Sequence, residues 1–254
     1  MRVTVKVGTS TLTHSTGNLN IRRMESLVKV LSDLKNAGHE IVLVSSGAIA
    51  MGVGKLPIHE KPKDIPGKQA AAAVGQCELM YTYDRLFTKY NHVVGQILLT
   101  KEDFEVEERR SNLENTLFKL LEFGALPIIN ENDTISTAEI AVGDNDTLSA
   151  IVARAAKSDL LILLSDIDGL YTADPHKHPE ATLIHEVKEI TEDVIALAGG
   201  AGSDFGTGGM ATKLSAAKIA TEAGMDMVIA NGANPSILYD IVDGKQTGTR
   251  FLKK

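Results

Sequence analysis

Residues 145–169 read NDTLSAIVARAAKSDLLILLSDIDG, and this stretch decides the fold. Asn145–Ala156 carries apolar residues at helical spacing, Leu160–Leu164 is an unbroken apolar run, and Ser165–Gly169 reads as a turn. A helix followed by a short strand with no polar face is the repeating piece of a parallel sheet covered on both sides. The same alternation extends in both directions. Upstream lie a first strand at Val3–Val7, a helix at Ile21–Ala37 stopped by Gly38, and a strand at Glu40–Val44. A long helix at Gln69–Tyr90, a strand at Val93–Leu99, a helix at Ser111–Phe123 and a strand at Ala125–Asn130 follow. Downstream, Ala211–Ala223 reads as helix, Met227–Ala230 as strand and Pro235–Val242 as helix, and Gly248–Phe251 closes the pattern. Right-handed crossovers then gather the turns after the strands along one edge of the sheet. Thr182–Val187 with Tyr171-Thr172 is expected to add a hairpin that makes part of this sheet mixed.

At 254 residues the chain suits one large domain or two small ones. Its 43% hydrophobic and 23% charged content is that of an ordinary globular protein. A net charge of −7 argues against general attraction to nucleic acid or anionic membranes, while leaving room for a local basic site. The single cysteine, Cys77, excludes an internal disulfide and a multi-cysteine metal site. Its apolar helical setting predicts a buried structural thiol. The absence of a targeting leader or a run of about 18 apolar residues makes a cytoplasmic location the expectation.

The nucleotide motifs in widest use are missing: there is no G-x-x-x-x-G-K-[ST] loop, no G-x-G-x-x-G fingerprint and no protein-kinase set. Other segments carry the candidate chemistry. Lys6-Val7-Gly8-Thr9-Ser10 ends the first strand with a lysine and a glycine that lets an anion approach the main chain; the alternative is a lysine that merely reaches solvent. Ser45-Ser46-Gly47 opens a helix, either as an anion site or as a simple cap. Asn130–Asp133 puts four polar side chains after an apolar strand. Gly143-Asp144-Asn145-Asp146 holds more amide and carboxylate groups than capping needs, and Asp146 is placed to grip two lysine ammonium groups. Ser165–Tyr171 either lines a nucleotide or is a plain turn. Gly199–Met210 has six glycines and leads into Ala211-Thr212-Lys213, so it reads as a phosphate-wrapping loop or a flexible linker. His176-Lys177-His178 lacks further ligands and reads as a solvated loop, and Lys101–Arg110 as a solvated face. Two lysines, mobile-backbone glycines and an organising carboxylate are what phosphoryl transfer asks for, since it depends on positioning and on charge stabilisation.

Taken in order, KVGTS, VSSGAIAMG, KQAAAAVGQ, INENDTIS, VGDNDTLSA, SDIDGLYTADP and GTGGMATKLSAA closely resemble the glutamate 5-kinase family of the amino acid kinase superfamily. The resemblance covers essentially all 254 residues. It implies an αβα sandwich with a mainly parallel central sheet, the amino acid kinase fold, as one domain over residues 1–254. The N-terminal part would bind glutamate and the C-terminal part ATP. The implied reaction moves the γ-phosphoryl group of ATP to the side-chain carboxylate of L-glutamate, giving L-glutamyl 5-phosphate for proline synthesis.

By motif, Lys6, Lys213 and Asp146 resemble the catalytic set, with Asp146 organising the lysines. Ser46, Gly47, Asp133 and Asn145 resemble glutamate-binding residues. Lys6, Gly8, Ser165, Asp166, Thr207, Gly208, Gly209, Met210, Ala211, Thr212 and Lys213 resemble nucleotide contacts. Mg2+ is expected to arrive on the nucleotide, with no metal site of the protein's own. Proline is expected as a feedback inhibitor, and a homodimer or homotetramer as the assembly; no nucleic-acid or membrane partner is expected. Many family members continue into a C-terminal domain of the type found in RNA-modifying enzymes, and this chain, ending three residues after Phe251, is expected to lack it. Acetylglutamate, aspartate or carbamate as acceptor, and a non-catalytic amino acid sensor, are the competing readings.

Overall fold

Alternate residues of the first strand face opposite sides of a sheet, and both sides are buried. The structure, a computed structural model, describes residues 1–254 apart from 15, 17, 59–60, 137–144, 176 and 199–208. β1 (Arg2–Val7) pairs in parallel with β2 (Glu40–Ser45) on one side and β5 (Leu160–Ser165) on the other. Beyond β2 lie β4 (Leu126–Glu131) and β3 (Val94–Leu99), and beyond β5 lies β9 (Asp226–Asn231), all parallel. β10 (Thr249–Phe251) turns back antiparallel to β9, and β8 (Glu186–Val187) runs parallel to β10, so the order is β3-β4-β2-β1-β5-β9-β10-β8.

Helices cover both sides of the sheet, so the inner strands are apolar on both faces except β1, which sets Thr4 and Lys6 opposite Val3, Val5 and Val7. Val3, Val5 and Val7, with Ile162 and Leu164, pack against Met24, Leu27 and Leu31 of α2 (Ile21–Asn36). Tyr83 and Phe87 of α4 (Ile65–Thr88) and Leu238 of α10 (Ile237–Val242) complete that layer. On the other face Leu161 and Leu163 meet Ala150 and Ala153 of α7 (Asn145–Ala155) and Leu214 and Ala217 of α9 (Met210–Glu222). Val42, Val44 and Ile129 meet Leu113, Leu117 and Leu121 of α6 (Glu107–Glu122). Each fully buried aliphatic side chain contributes roughly 1.5–3 kcal/mol relative to exposure, so both layers hold the sheet. The result is the αβα sandwich with a mainly parallel sheet.

Local chemistry sets the element ends. Asn20 caps α2 by accepting from the Arg23 amide at 3.1 Å, and Gly38 closes it in the left-handed region at φ +92°. α4 begins before the expected Gln69 because Asp64 accepts from the Gly67 amide at 3.0 Å and Pro66 suits a first turn. Helix α3 (Ala48–Lys55) lies directly on α4. A Cβ built on Gly75 would sit 1.7 Å from the Ala48 carbonyl oxygen, and one on Gly52 1.8 Å from that of Ala71, so the two backbones touch. Short helical turns α1 (Thr9–Leu12), α5 (Glu102–Glu105) and α8 (Glu192–Ala198) link larger elements.

Two expectations are corrected. Cys77 is exposed, because the buried stripe of α4 runs through Ala72, Gly75, Gln76, Leu79 and Tyr83 and passes it by. The hairpin β6 (Leu170–Tyr171) with β7 (Leu183–Ile184) forms its own two-stranded antiparallel sheet. The end of the expected segment, β8, does join the main sheet and together with β10 makes it mixed. The segment from Lys101 is exposed, as expected, and supplies α5 and the start of α6.

Candidate active site

Because β1, β2, β4, β5 and β9 are parallel, their last residues lie along one edge. Lys6 is on β1 between Val5 and Val7, so its side chain leaves from the opposite face, the side covered by α7. There its Nζ meets Asp146 Oδ1 at 2.7 Å, in the first turn of α7. Lys213 reaches Asp146 Oδ2 at 3.1 Å from the first turn of α9, and the Thr212 hydroxyl donates to the same oxygen at 3.1 Å. Asp146 is 1% exposed and Lys213 5%. Burial pushes the Asp146 carboxyl up, but Lys6 and Lys213 outweigh it and hold it below the ordinary range. One ionised carboxylate thus fixes two ammonium groups, and the cluster carries a net charge of +1. The alternative in which Lys6 merely reaches solvent does not occur.

Glycines sit beside this cluster. Gly8 is the N-cap of α1, and a Cβ there would lie 3.6 Å from the Lys6 ammonium. Gly209 is the N-cap of α9; among the described residues no side chain caps that helix and none lies within 4 Å of a Cβ built there. First-turn amides of a helix have no intrahelical acceptor and favour an anion. Met210 packs its side chain into the core with Leu214, so only its backbone faces that terminus; Ala211 is exposed. Ser165 ends β5, donating to Asp166 at 3.1 Å and accepting from the Gly232 amide at 2.7 Å through its carbonyl. Asp166 is exposed, and next to it Asp168 accepts from Asn231 of β9 at 2.8 Å. Gly143, Asp144, His176, Thr207 and Gly208 lie outside the described residues. His178 is exposed beside Glu180.

Asn145, next to Asp146 in the chain, joins a second set of polar groups on the turn after β2 and on β4. Gly47, at φ +99°, turns the chain from β2 into α3, a conformation that favours glycine. Neither serine caps that helix: the Ser45 hydroxyl pairs with the buried Tyr83 hydroxyl at 2.8 Å, and Ser46 Oγ accepts from Asn145 Nδ2 at 2.7 Å. Asn145 Oδ1 and Asp133 Oδ1 are buried and have no hydrogen-bond partner among the described residues. Burial, and then the neighbouring Glu131 carboxylate, push the Asp133 carboxyl up to about 7. Two orphaned acceptors cost free energy in an empty site and are satisfied by a donor such as an ammonium group.

Lys6, Asp146, Thr212 and Lys213 therefore converge in direct contact, and Ser46 and Asn145 form a second contacting pair adjoining Asp146 in sequence. The sequence marks Asn130 only as part of the polar run Asn130–Asp133 and gives Gln76 no role of its own, yet the two are hydrogen-bonded to each other at 2.9 Å. The available signal was a glutamine on the buried stripe of an otherwise apolar helix face.

The amino acid kinase family profile matches residues 1–231. Glutamate 5-kinase of Clostridium tetani is 57% identical over 249 residues, covering 98% of this chain and 93% of that protein. Glutamate 5-kinase of Clostridium perfringens is 54% identical, covering 100% and 96%. Among solved structures, carbamate kinase from Giardia lamblia bound to AMP-PNP superposes with a TM-score of 0.70 at 17% identity, over 100% of this chain and 98% of that one, a likeness of fold. With the matched profile and these identities, the chain belongs to the amino acid kinase family and, within it, to the glutamate 5-kinases.

Proposed function

We propose that this chain phosphorylates the side-chain carboxylate of L-glutamate with ATP, and that Lys6, Asp146 and Lys213 do the central work. The observation that carries the division of labour is the buried cluster in which one carboxylate holds two ammonium groups, together with the buried oxygens of Asn145 and Asp133 that have no partner among the described residues. The acceptor carboxylate is ionised at neutral pH, so no general base is needed. One of its oxygens attacks the γ-phosphorus as the bond to the departing ADP oxygen breaks. The obstacle is two anions meeting in line. Lys6 and Lys213 oppose that repulsion and stabilise charge on the transferring and leaving oxygens. Asp146 moves no proton; it holds both lysine side chains in place.

Asp133 and the Asn145 carbonyl oxygen receive the α-ammonium group, while Ser46 and the Gly47 turn support the acceptor from the β2 side. Gly8, Ser165, Asp166 and the stretch Thr207–Lys213 hold the nucleotide. Mg2+ bound to the nucleotide would supply neutralisation of part of the phosphate charge. The unbroken sheet from β3 to β8 supports one kinase domain over residues 1–254, with glutamate toward β2 and β4 and ATP toward β5 and β9. We extend the reading to a cytoplasmic homodimer or homotetramer, inhibited by proline, that makes the acyl phosphate used in proline synthesis.

The test is ADP release from MgATP across a panel of acceptors: L-glutamate, acetylglutamate, aspartate and carbamate. The reading predicts release that depends on L-glutamate. Release that depends on another acid would move the acceptor, and binding of both substrates without release would indicate a sensor.

A further inference from the structure

We propose that Gln76, on the long helix α4, is a positioning residue for the amino acid acceptor, acting through Asn130 on Asn145. The proposal deepens the glutamate reading and rests on it. It begins with the helix contact: the bare backbones at Gly52 and Gly75 let α4 lie on α3, which brings the next residue, Gln76, into the interior behind the Ser46-Gly47 turn. There Gln76 Oε1 accepts from Asn130 Nδ2 at 2.9 Å.

The amide ends along this chain of contacts are dictated by groups that can act in one sense only. Asn130 Oδ1 accepts from the Glu131 backbone N–H at 2.9 Å, and an N–H only donates. Asn130 therefore turns its NH2 toward Gln76 and its oxygen toward Asn145. Asn145 Nδ2 lies 3.3 Å from that oxygen, 3.3 Å from the Ser45 carbonyl oxygen and 2.7 Å from Ser46 Oγ. The Ser45 carbonyl only accepts, so the NH2 end of Asn145 is drawn inward. Its Oδ1, like Oδ1 of Asp133, is left buried and without a partner among the described residues. Both oxygens are acceptors and suit an ammonium group rather than a carboxylate.

Gln76 is the remote anchor of this polarity. Without its oxygen, Asn130 Nδ2 is buried and unsatisfied, and turning the Asn130 amide over would set NH2 against the Glu131 N–H. Asn130 must then shift, and Asn145 loses one of the acceptors that orient it. The effect falls on recognition of the α-ammonium group and leaves the lysine cluster alone.

The experiment is calorimetric binding of L-glutamate, glutarate and a non-hydrolysable ATP analogue to the wild type, Gln76→Met and Gln76→Glu, with ADP release measured alongside. Glutarate lacks the ammonium group, methionine keeps the length and apolar stem, and glutamate keeps the accepting oxygen. Losing a buried hydrogen bond predicts about tenfold weaker glutamate binding in Gln76→Met. Glutarate and nucleotide affinities stay within about twofold, and Gln76→Glu keeps the preference for glutamate over glutarate. Unchanged glutamate affinity in Gln76→Met, or equal losses for all three ligands, overturns the proposal. If Gln76→Met does not fold, a Gln76→Glu protein that has lost the preference overturns it, and one that keeps it supports it. Wild-type protein that binds glutamate but releases no ADP sinks the kinase reading and leaves this one standing; no glutamate binding at all sinks both.

Discussion

Lys213→Ala separates a catalytic role of the buried ammonium from a structural one. Lys213 Nζ lies 3.1 Å from Asp146 Oδ2, an attraction of about 5 kcal/mol at an effective dielectric constant near 20. Much of that is offset by the cost of burying the ammonium, which the substitution relieves. Asp146 also keeps Lys6 at 2.7 Å on one oxygen and Thr212 at 3.1 Å on the other. The variant therefore does not orphan the carboxylate, and its stability loss should stay near about 1–3 kcal/mol, below the ~3–5 kcal/mol of an abandoned buried charge. Loss of one preorganised donor to a developing anion costs about 2.7–4 kcal/mol, or roughly a hundredfold to a thousandfold in turnover. Urea unfolding gives the first quantity and ADP release at saturating glutamate and MgATP the second. A folded Lys213→Ala protein with near-normal turnover would refute the assignment.

Asp146→Asn leaves two buried ammonium groups facing a neutral amide and is expected to lose about 3–5 kcal/mol in urea unfolding, more than Lys213→Ala; a loss under about 1 kcal/mol would mean the cluster is not held as described. The Asp133 carboxyl, raised from 3.8 to about 7, favours its protonated form in the folded protein. Its contribution to stability is complete below about pH 3.8 and is lost as pH rises through about 7, whereas the ammonium of glutamate needs the ionised form. The KM for glutamate is therefore expected to rise as pH falls below about 7, and Asp133→Asn to flatten that profile; a profile identical in both proteins would rule out Asp133 as the titrating group. Gly75→Ala puts a methyl into the Ala48 carbonyl and should destabilise by about 1–3 kcal/mol or more, measured by thermal melting. An unchanged melting temperature would show that α3 and α4 are not in backbone contact.

The inner strands were legible because burial on both faces leaves an unbroken apolar run, as in Leu160–Leu164 and, after its first residue, Glu40–Val44. Their parallel order follows from the helix placed between each pair. The meeting of Lys6 and Lys213 on Asp146 could be anticipated, since a run of amide and carboxylate groups at a helix start exceeds what capping uses. Other features depend on which way a helix turns. Cys77 and Gln76 are neighbours on α4, yet the thiol is exposed and the amide buried, a choice set by the close contact of Gly75 with α3. The polarity of Asn145 was equally hidden, because it depends on a backbone N–H at Glu131 and a backbone carbonyl at Ser45. Pairing of β10 with β9 was not evident because a three-residue strand has too little pattern to announce its direction.

Phosphoryl transfer to a carboxylate makes an acyl phosphate, which betrays itself by reacting with hydroxylamine. Incubation with MgATP, L-glutamate and hydroxylamine should yield γ-glutamyl hydroxamate in step with ADP, with neither formed when glutamate is omitted. ADP formed at the same rate without glutamate, and no hydroxamate in its presence, would contradict the account.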